Sequence, residues 1–442
     1  MVKITQNVEA AYEIESTYGS PPGSNLYHLG LLDTFDPRQV ERSVTPVPSL
    51  GQSTDTHHAL GPLGVTLPIK VACQGTGWKQ LLGRAIGEST IDSYKHGNKL
   101  TSGVDSLAIL ARETGGDFTL VTGVVPNEVT LTADYTTGGF VTCEATCTGY
   151  YSLDEADANF DGFLGDDYSS VNFPSAPSAD PLLPTDLSVT VGLAASTKGL
   201  SIDGPAGSYV EVGEKYIQAF NAAGTPNTDF DTDGIIDLTV SASDTVSELS
   251  ALIEADSNWG STVLGSGGAE LSQNLVKGIY YTGADADEDE TDGSQANIYA
   301  ATDADGTGMT TTFTNLKTVE LKIANNNTPI SGRATGDDSS TKFLLNNAIS
   351  RGKADITLDL TMTAEDETYY DIYHAGTTIP LIRLDFGSEG SIALTNGTIT
   401  AFSRPLAPGA EIVDTMTIKF RGAGNYKNYS AYAISSDITL TP

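Results

Sequence analysis

The sequence predicts a mainly β protein, on three observations: strand-period alternation in the C-terminal third, a second set of alternating runs near the N-terminus, and an abrupt change of composition between them. In ADITLDLTM, Ile356, Leu358, Leu360 and Met362 alternate with Asp355, Thr357, Asp359 and Thr361, so a strand there has one apolar and one wet face. The period returns in LIRLDF through Ile382, Leu384 and Phe386, and in EIVDTMTIKF through Ile412, Met416, Ile418 and Phe420, broken at Asp414. Between these runs, Thr395-Asn396-Gly397-Thr398 carries the Asn-Gly pair of a two-residue hairpin, because both residues tolerate positive φ. The expected arrangement is an antiparallel meander.

Taken from the start, the chain opens with a polar segment and the turn-rich TYGSPPGSN, where Pro21-Pro22-Gly23 forbids regular structure. This reads as an arm followed by a first strand near Leu26 to Leu32. Residues 38 to 64 mix prolines with Gly, Ser and Thr without a sustained period, which reads as a long loop with a task of its own. Its His57-His58 pair is expected to be exposed, since neighbours on an extended chain point opposite ways. Val65, Leu67, Ile69, Val71 and Cys73 then alternate on a strand, and Trp78, Leu81, Leu82, Ala85 and Ile86 recur at helical spacing on one short helix. Further strands are expected near Phe118 to Thr122 and Val129 to Tyr135. Cys143 and Cys147 would lie about 13 Å apart on an extended strand, beyond the reach of a disulfide unless the chain turns. With Cys73 they form no metal pattern and read as buried thiols.

The charge balance sets the functional limits. Fifty-seven acidic residues face 23 basic ones, for a net charge of −34, which disfavours binding to DNA by neutralising its phosphates. Such acidity suits a protein kept soluble at very high salt, where repulsion between carboxylates is screened. The excess is concentrated: residues 150 to 310 hold 28 acidic side chains and only Lys198, Lys215 and Lys277 as cations. That shift predicts an acidic inserted domain over 150–310, α+β or a β-sandwich, between flanking halves 1–145 and 311–442. Within it DLSVTVGL and GIIDLTVSAS read as strands, and Thr245 to Glu248 is a capping box ahead of an apolar-periodic helix.

The insert carries the one spacing that suggests site chemistry. In TDFDTDGIID, Asp229, Asp231 and Asp233 take alternate positions, Gly234 allows a sharp turn, and Asp237 follows at the ninth position. Oxygen ligands at one, three and five with glycine at six are what a Ca²⁺ loop requires. A second copy runs through Asp157, Asn159, Asp161 and Gly162. Neither has the twelfth-position Glu or flanking helices of an EF-hand, so Ca²⁺ loop and acidic surface turn both stand. GADADEDETDG reads as a solvated charge run. No nucleophile elbow, phosphate loop or His-Glu-x-x-His pair is present, and His374 reads as an exposed turn residue, so no enzyme is expected. Neither is a secretory signal or a membrane span.

The order of ADITLDLT, an acidic turn, a strand pair around Asn396-Gly397, and GTITAFSRPLAPGAEIVDTMTIKFRG resembles the C-terminal half of the tail tube proteins of tailed viruses. ESTYGSPPGSNLYHLGLLDTF, with GVTLPIKVAC and GWKQLLGRAIG after it, resembles the N-terminal half. The two stretches cover about two thirds of the chain. The resemblance implies a tail-tube-like β-sandwich or barrel with one short helix, in hexameric rings stacked into the tube that conducts DNA from capsid to host. It implies tail terminator, tape measure and baseplate proteins as partners, synthesis in the host cytoplasm, and residence in the tail of a siphovirus-like virion; the acidity points to a halophilic archaeal host. With the apolar faces turned to the core, Asp355, Thr357, Asp359, Thr361, Thr415 and Thr417 would line the bore, past which DNA moves without specific binding. The N-terminal arm and residues 38 to 64 would bridge rings. The alternative is a Ca²⁺-stabilised extracellular or surface-layer β-protein, for which the Asp-rich loops and the sequons at Asn326, Asn396 and Asn428 leave room.

Overall fold

A computed structural model of the chain describes residues 8–15, 18–19, 26–36, 40–47, 57–86, 106–112, 118–154, 173–221, 223–227, 230, 234–255, 258–282, 295–303, 308–309, 312–313, 315–333, 344–350, 355–364, 367–406, 411–420 and 431–433. The first part contributes β1 (Glu9–Ile14), β2 (Tyr27–His28), β3 (Leu32–Phe35), β4 (Val40–Val47), β5 (His57–Ala72), α1 (Gly77–Ile86), β6 (Leu107–Arg112), β7 (Phe118–Asp134), β8 (Thr142–Gly149) and β9 (Tyr151–Asp154). The middle adds β10 (Ser188–Gly192), β11 (Ala194–Asp203), β12 (Tyr209–Val212), β13 (Tyr216–Phe220), β14 (Ile235–Asp237), α2 (Val246–Glu254), β15 (Gly260–Leu264), β16 (Gly278–Tyr281) and β17 (Gln295–Thr302). The last part supplies β18 (Leu316–Ala324), β19 (Thr328–Arg333), β20 (Leu344–Ser350), β21 (Asp355–Thr363), α3 (Thr368–Ala375), β22 (Ile379–Asp385), β23 (Ser391–Ser403), β24 (Val413–Phe420) and β25 (Ala431–Ala433).

The chain is mostly strand. Alternation decides where the large sheet buries its faces: along β21 the inward Ile356, Leu358, Leu360 and Met362 are buried while Asp355, Thr357, Asp359 and Thr361 are not. Each such Leu or Ile contributes about 1.5–3 kcal/mol by leaving water. The large sheet runs β10-β22-β23-β24-β21-β18-β7-β6-β1-β2, and β8 joins β7 to β5, which carries β3 and β4 on its far edge. Strands from both ends of the sequence thus interleave, and their apolar faces enclose one core together with Trp78, Leu81 and Leu82 of α1. Cys143, Ala145 and Cys147 point into it on alternate positions of β8, and Cys73, Cys143 and Cys147 are free thiols.

A second core gathers Leu200, Val212, Ile217, Ile236, Leu249, Ile253, Trp259 and Ile298 from β11–β17 and α2. Two small sheets, β15-β11-β17 and β14-β13-β12-β16, supply it. Thr245 caps α2, its Oγ1 accepting from the Glu248 backbone N–H while the Glu248 carboxylate accepts from the Thr245 N–H. β10 belongs elsewhere: although residues 182 to 192 fall in the acidic stretch, β10 pairs with β22 and Leu182, Leu187 and Val189 join the large core.

Several expectations change. Where an arm was expected, Glu9–Ile14 form a strand, because Ala10, Ala11 and Tyr12 of β1 are buried against β6. Residues 38 to 64 are not one loop; β4 and β5 pair from Val40↔Val65 to Val47↔His57, a ladder that prolines and glycines hide from a periodicity test. Asn396-Gly397 makes no hairpin. Asn396 has φ 53° inside the continuous β23, where the strand passes from pairing with β22 to pairing with β24. The acidic turn after β21 gives way to α3, closed by Gly376 at φ 65° with its N–H on the Tyr373 carbonyl and the Thr377 N–H on the Ile372 carbonyl. GIIDLTVSAS forms only the three-residue β14, followed by a turn. Ile412 is exposed and Asp414 buried, the reverse of the apolar pattern, because Arg404 Nε and Nη2 donate to both Asp414 carboxylate oxygens at 2.6 and 2.7 Å.

Candidate functional site: the polar face of the large sheet

The side of the large sheet away from the core is built row by row from cross-strand partners. One row runs Lys70, Glu144, Thr130, Lys322, Thr357, Lys419 and Thr398 across β5, β8, β7, β18, β21, β24 and β23. The next runs Thr142, Thr132, Glu320, Asp359 and Thr417, and another Asp134, Thr318, Thr361, Thr415 and Ser403. Antiparallel pairing puts these side chains about 5 Å apart on a common surface. The six residues expected at a bore therefore share one face: Asp355 and Thr415 are exposed, and Thr357, Asp359, Thr361 and Thr417 half-buried.

Charge on this face is paired where it is positive. Lys322 Nζ lies 2.7 Å from Glu128, Lys70 Nζ 3.0 Å from Asp33, and Lys419 Nζ 3.7 Å from Asp355. The Thr417 hydroxyl donates to the Asp359 carboxylate. At the end of β7, hydrogen bonds from the Thr136 and Thr137 hydroxyls, with help from the Thr136 and Thr137 N–H groups, hold the Asp134 carboxyl well below the usual carboxylate range. What remains toward solvent is threonine hydroxyl and carboxylate: a hydrated, anionic surface with no unpaired lysine among Lys70, Lys322 and Lys419. The alternation of these strands was legible in the sequence. Their partnerships were not, since Lys322 and Glu128 meet only once strand order is known.

A second charged cluster joins the two cores. Glu214, after β12, is buried against Arg383 of β22 and Lys277 before β16. Arg383 Nε donates to Glu214 Oε1, Arg383 Nη2 donates to the Gln273 carbonyl at 2.7 Å, and Ser391 Oγ donates to Glu214 Oε1 at 3.2 Å. Lys277 Nζ donates to the same carbonyl at 2.5 Å and lies 3.4 Å from Glu214. Burial alone would raise the Glu214 carboxyl, but Arg383 and then Lys277 bring it below its ordinary value. Burial pushes the Lys277 ammonium down to about 8 against the pull of Glu214, and the like charge of Arg383 adds to the depression. Ile279, Ala301, Leu381 and Ala393 pack beside it. Sequence reasoning passed over all three ions; the one signal was a lone lysine in a lysine-poor stretch.

Asp157, Asn159, Asp161, Asp229, Asp231 and Asp233 lie outside the described residues. Gly234 has the left-handed φ of 78° that a sharp turn needs, while Asp237 Oδ1 accepts from the Thr239 N–H at 2.8 Å and the Thr239 hydroxyl at 2.7 Å. Among the described residues no group of three or more His, Cys, Asp or Glu side chains could hold a metal ion, and no helix is long and apolar enough to cross a membrane. His374 is an exposed residue of α3. A cleft of about 470 Å³ between the insert and β22–β23, reached by Leu193, Val276, Tyr280, Tyr299, Pro380 and Asn396, has no carboxylate, imidazole, thiol or amine among the described residues that line it.

No protein-family model matches the chain, and no curated protein matches it. Among solved structures, the chain is similar to a chain of the tail of an empty gene transfer agent particle with C6 symmetry, at 16% identity and a TM-score of 0.22 over 30% of this chain and 92% of that one. It is also similar to a chain of the virion of a native gene transfer agent particle, at 15% identity and a TM-score of 0.20 over 28% of this chain and 88% of that one.

Proposed function

We propose that the chain is a structural subunit of a viral tail, the major tail tube protein of a siphovirus-like virus of a halophilic archaeon, with no enzymatic role. Residues 1–145 and 311–442 form the tube unit, joined by β9 and β10, and the rest of the acidic 150–310 stretch is a domain inserted on its outside. Six copies close a ring, rings stack, and the polar face of the large sheet lines a bore through which DNA leaves. Tail terminator, tape measure and baseplate proteins contact the ends and interior, and Ca²⁺ is the ion for the Asp229–Asp237 loop. The observation that carries the reading is that sheet face: rows of threonine and carboxylate across seven strands, with Lys70, Lys322 and Lys419 each held by an acid. Such a wall repels phosphate and stays wetted, so DNA slides without sticking. The resemblance of the flanking sequences to tail tube proteins supports the same assignment, and the two-stranded β4–β5 and β19–β20 ladders, which lie against each other, suit contacts between stacked rings, since isolated hairpins are marginal in water.

Electron microscopy of the purified protein at high salt, with and without chelator, tests this reading: rings or tubes support it, and a monomer under every condition removes it. Particles carrying Asp355→Lys with Asp359→Lys sharpen it. The first change also strips Lys419 of its partner, so three cations face the bore. These particles should assemble yet deliver DNA poorly, with the defect shrinking as salt rises; wild-type delivery at the lowest salt the particles tolerate would refute the bore assignment.

A further inference from the structure

The large sheet leaves apolar side chains exposed at two places, and both lie at the same end of its strands. One is at the C-terminal end of β23 and the approach to β24: Leu406 is 75% exposed and Ile412 is exposed. Tyr370 and Tyr373 of α3, also exposed, pack on Phe402 of β23 with ring centroids 5.8 and 6.1 Å away. There β22 has stopped pairing at Gly397 and α3 runs along β23 in its place. The other is Leu31, Phe140 and Leu183, each 45–48% exposed. Backbone hydrogen bonds gather their segments: Ala72 N–H to the Leu31 carbonyl, Cys73 N–H to Val141, Val141 N–H to Leu182 and Leu182 N–H to Cys73, all at 2.8–2.9 Å. Ala72 and Thr142 pair with each other, and the same row reaches Ala401 of β23 through Thr132, Glu320, Asp359 and Thr417. The two patches therefore sit at one height on opposite edges, seven strand spacings or about 34 Å apart along the sheet.

We infer that these patches meet between copies, the α3–Leu406 patch of one subunit seating on the Leu31–Phe140–Leu183 patch of the next. The inference rests on the self-assembly reading above and names the contact. Its occupant is a second copy for two reasons. First, two different patches at equal height make a heterologous contact, which leaves an unfilled patch at each end of an open row and none in a closed ring. Second, copies of a chain with net charge −34 repel, so contact is easiest where exposed apolar area is bordered by acids that cations already hold. Cations lighten both borders: Glu367 is held by Arg404 at 2.6 Å and Glu411 by Lys317 on one side, and Asp33 by Lys70 at 3.0 Å on the other, while exposed Asp186, among the described residues, accepts only from the Leu183 N–H at 2.8 Å. Cations are scarce in this chain, and these three are spent at the two edges.

The test uses the full chain, whose own thiols are buried. Leu406→Cys and Phe140→Cys are prepared separately, mixed, and treated with a short bismaleimide. Covalent dimers should form in the mixture and in neither variant alone. In parallel, Leu406→Asp, which alters a solvent-facing side chain and should leave the unfolding transition unchanged, should raise the protein concentration needed for assembly about tenfold or more. Cross-linking of Leu406→Cys with itself, or rings from Leu406→Asp at the parent's concentration, overturns this contact while leaving the tube reading intact. A parent chain that never leaves the monomer overturns both.

Discussion

The ion pairs on the face of the large sheet and the ion cluster at the junction of the two cores use the same side chains in opposite surroundings. Lys322 with Glu128 and Lys419 with Asp355 stand 38–58% exposed, whereas Lys277 and Glu214 are 0% and 4% exposed. At the ionic strength of about 1 M the screening length is about 3 Å, so the first set is switched off by salt. The second, out of reach of ions, is not. The difference teaches that a strongly acidic chain can let its surface follow the medium while its insert stays fastened by charge that the medium does not touch.

The largest expected effect comes from cutting that fastening. Glu214→Gln leaves half-buried Arg383 and buried Lys277 without an anion, and unfolding by urea should show a loss of about 3–5 kcal/mol. The loss should be equal at low and high sodium chloride; one that fades with salt would erase the distinction between the two regions. Next is pH. The folded pKa of Lys277, about 8, lies below its ordinary 10.5, so between those values the unfolded chain binds more protons and stability gained from this group rises with pH. Below about pH 8 the group imposes a constant cost. Buried Cys143 and Cys147, with pKa values pushed up by burial, act in the opposite direction, so the comparison is with Lys277→Met. The parent should gain on the variant by on the order of 2–3 kcal/mol from pH 8 to 10.5, and a difference that stays flat across this range would show that the ammonium is not held in a low-dielectric site. The smallest effect is on the sheet face. Lys322→Met should cost about 0–1 kcal/mol at low salt and nothing at high salt, and a larger, salt-independent cost would make the two regions alike.

How much could be read beforehand follows from the range of each interaction. β5 from Val65 onward, β21, β24, α1 and the Thr245–Glu248 cap were legible because their signals lie within a few residues: inside–outside alternation, helical spacing, and a side chain three positions from its partner. α3 was not legible, since TYYDIYHA has weak helix formers and is held by what it covers, the open edge of β23. Asp414 broke the pattern of its strand because its partner Arg404 comes from just past the end of the neighbouring β23. Asn396-Gly397 has the positive φ that its residues suggest, yet spends it bending a strand. On the candidate site, the threonine and carboxylate rows were visible along each strand, while the acids that take up Lys322 and Lys419 depend on which strands neighbour which. Glu214, Lys277 and Arg383 come from three distant segments, and no local pattern could bring them together.

The interleaved order of the large sheet sets the schedule on which the chain can fold. Thr130 of β7 pairs with Lys322 of β18, so at synthesis rates of about 5–20 residues per second β7 waits roughly 10–40 s for its neighbour with an open edge. Ala194 and Thr302 face each other on β11 and β17, so a domain that folds during this wait draws the two ends of its own stretch together. By loop-closure arithmetic that lowers the entropic cost of joining β7 to β18 by about 0.7 kcal/mol. The acidic insert, made between the two halves, thus brings the second half to the first before the sheet is closed.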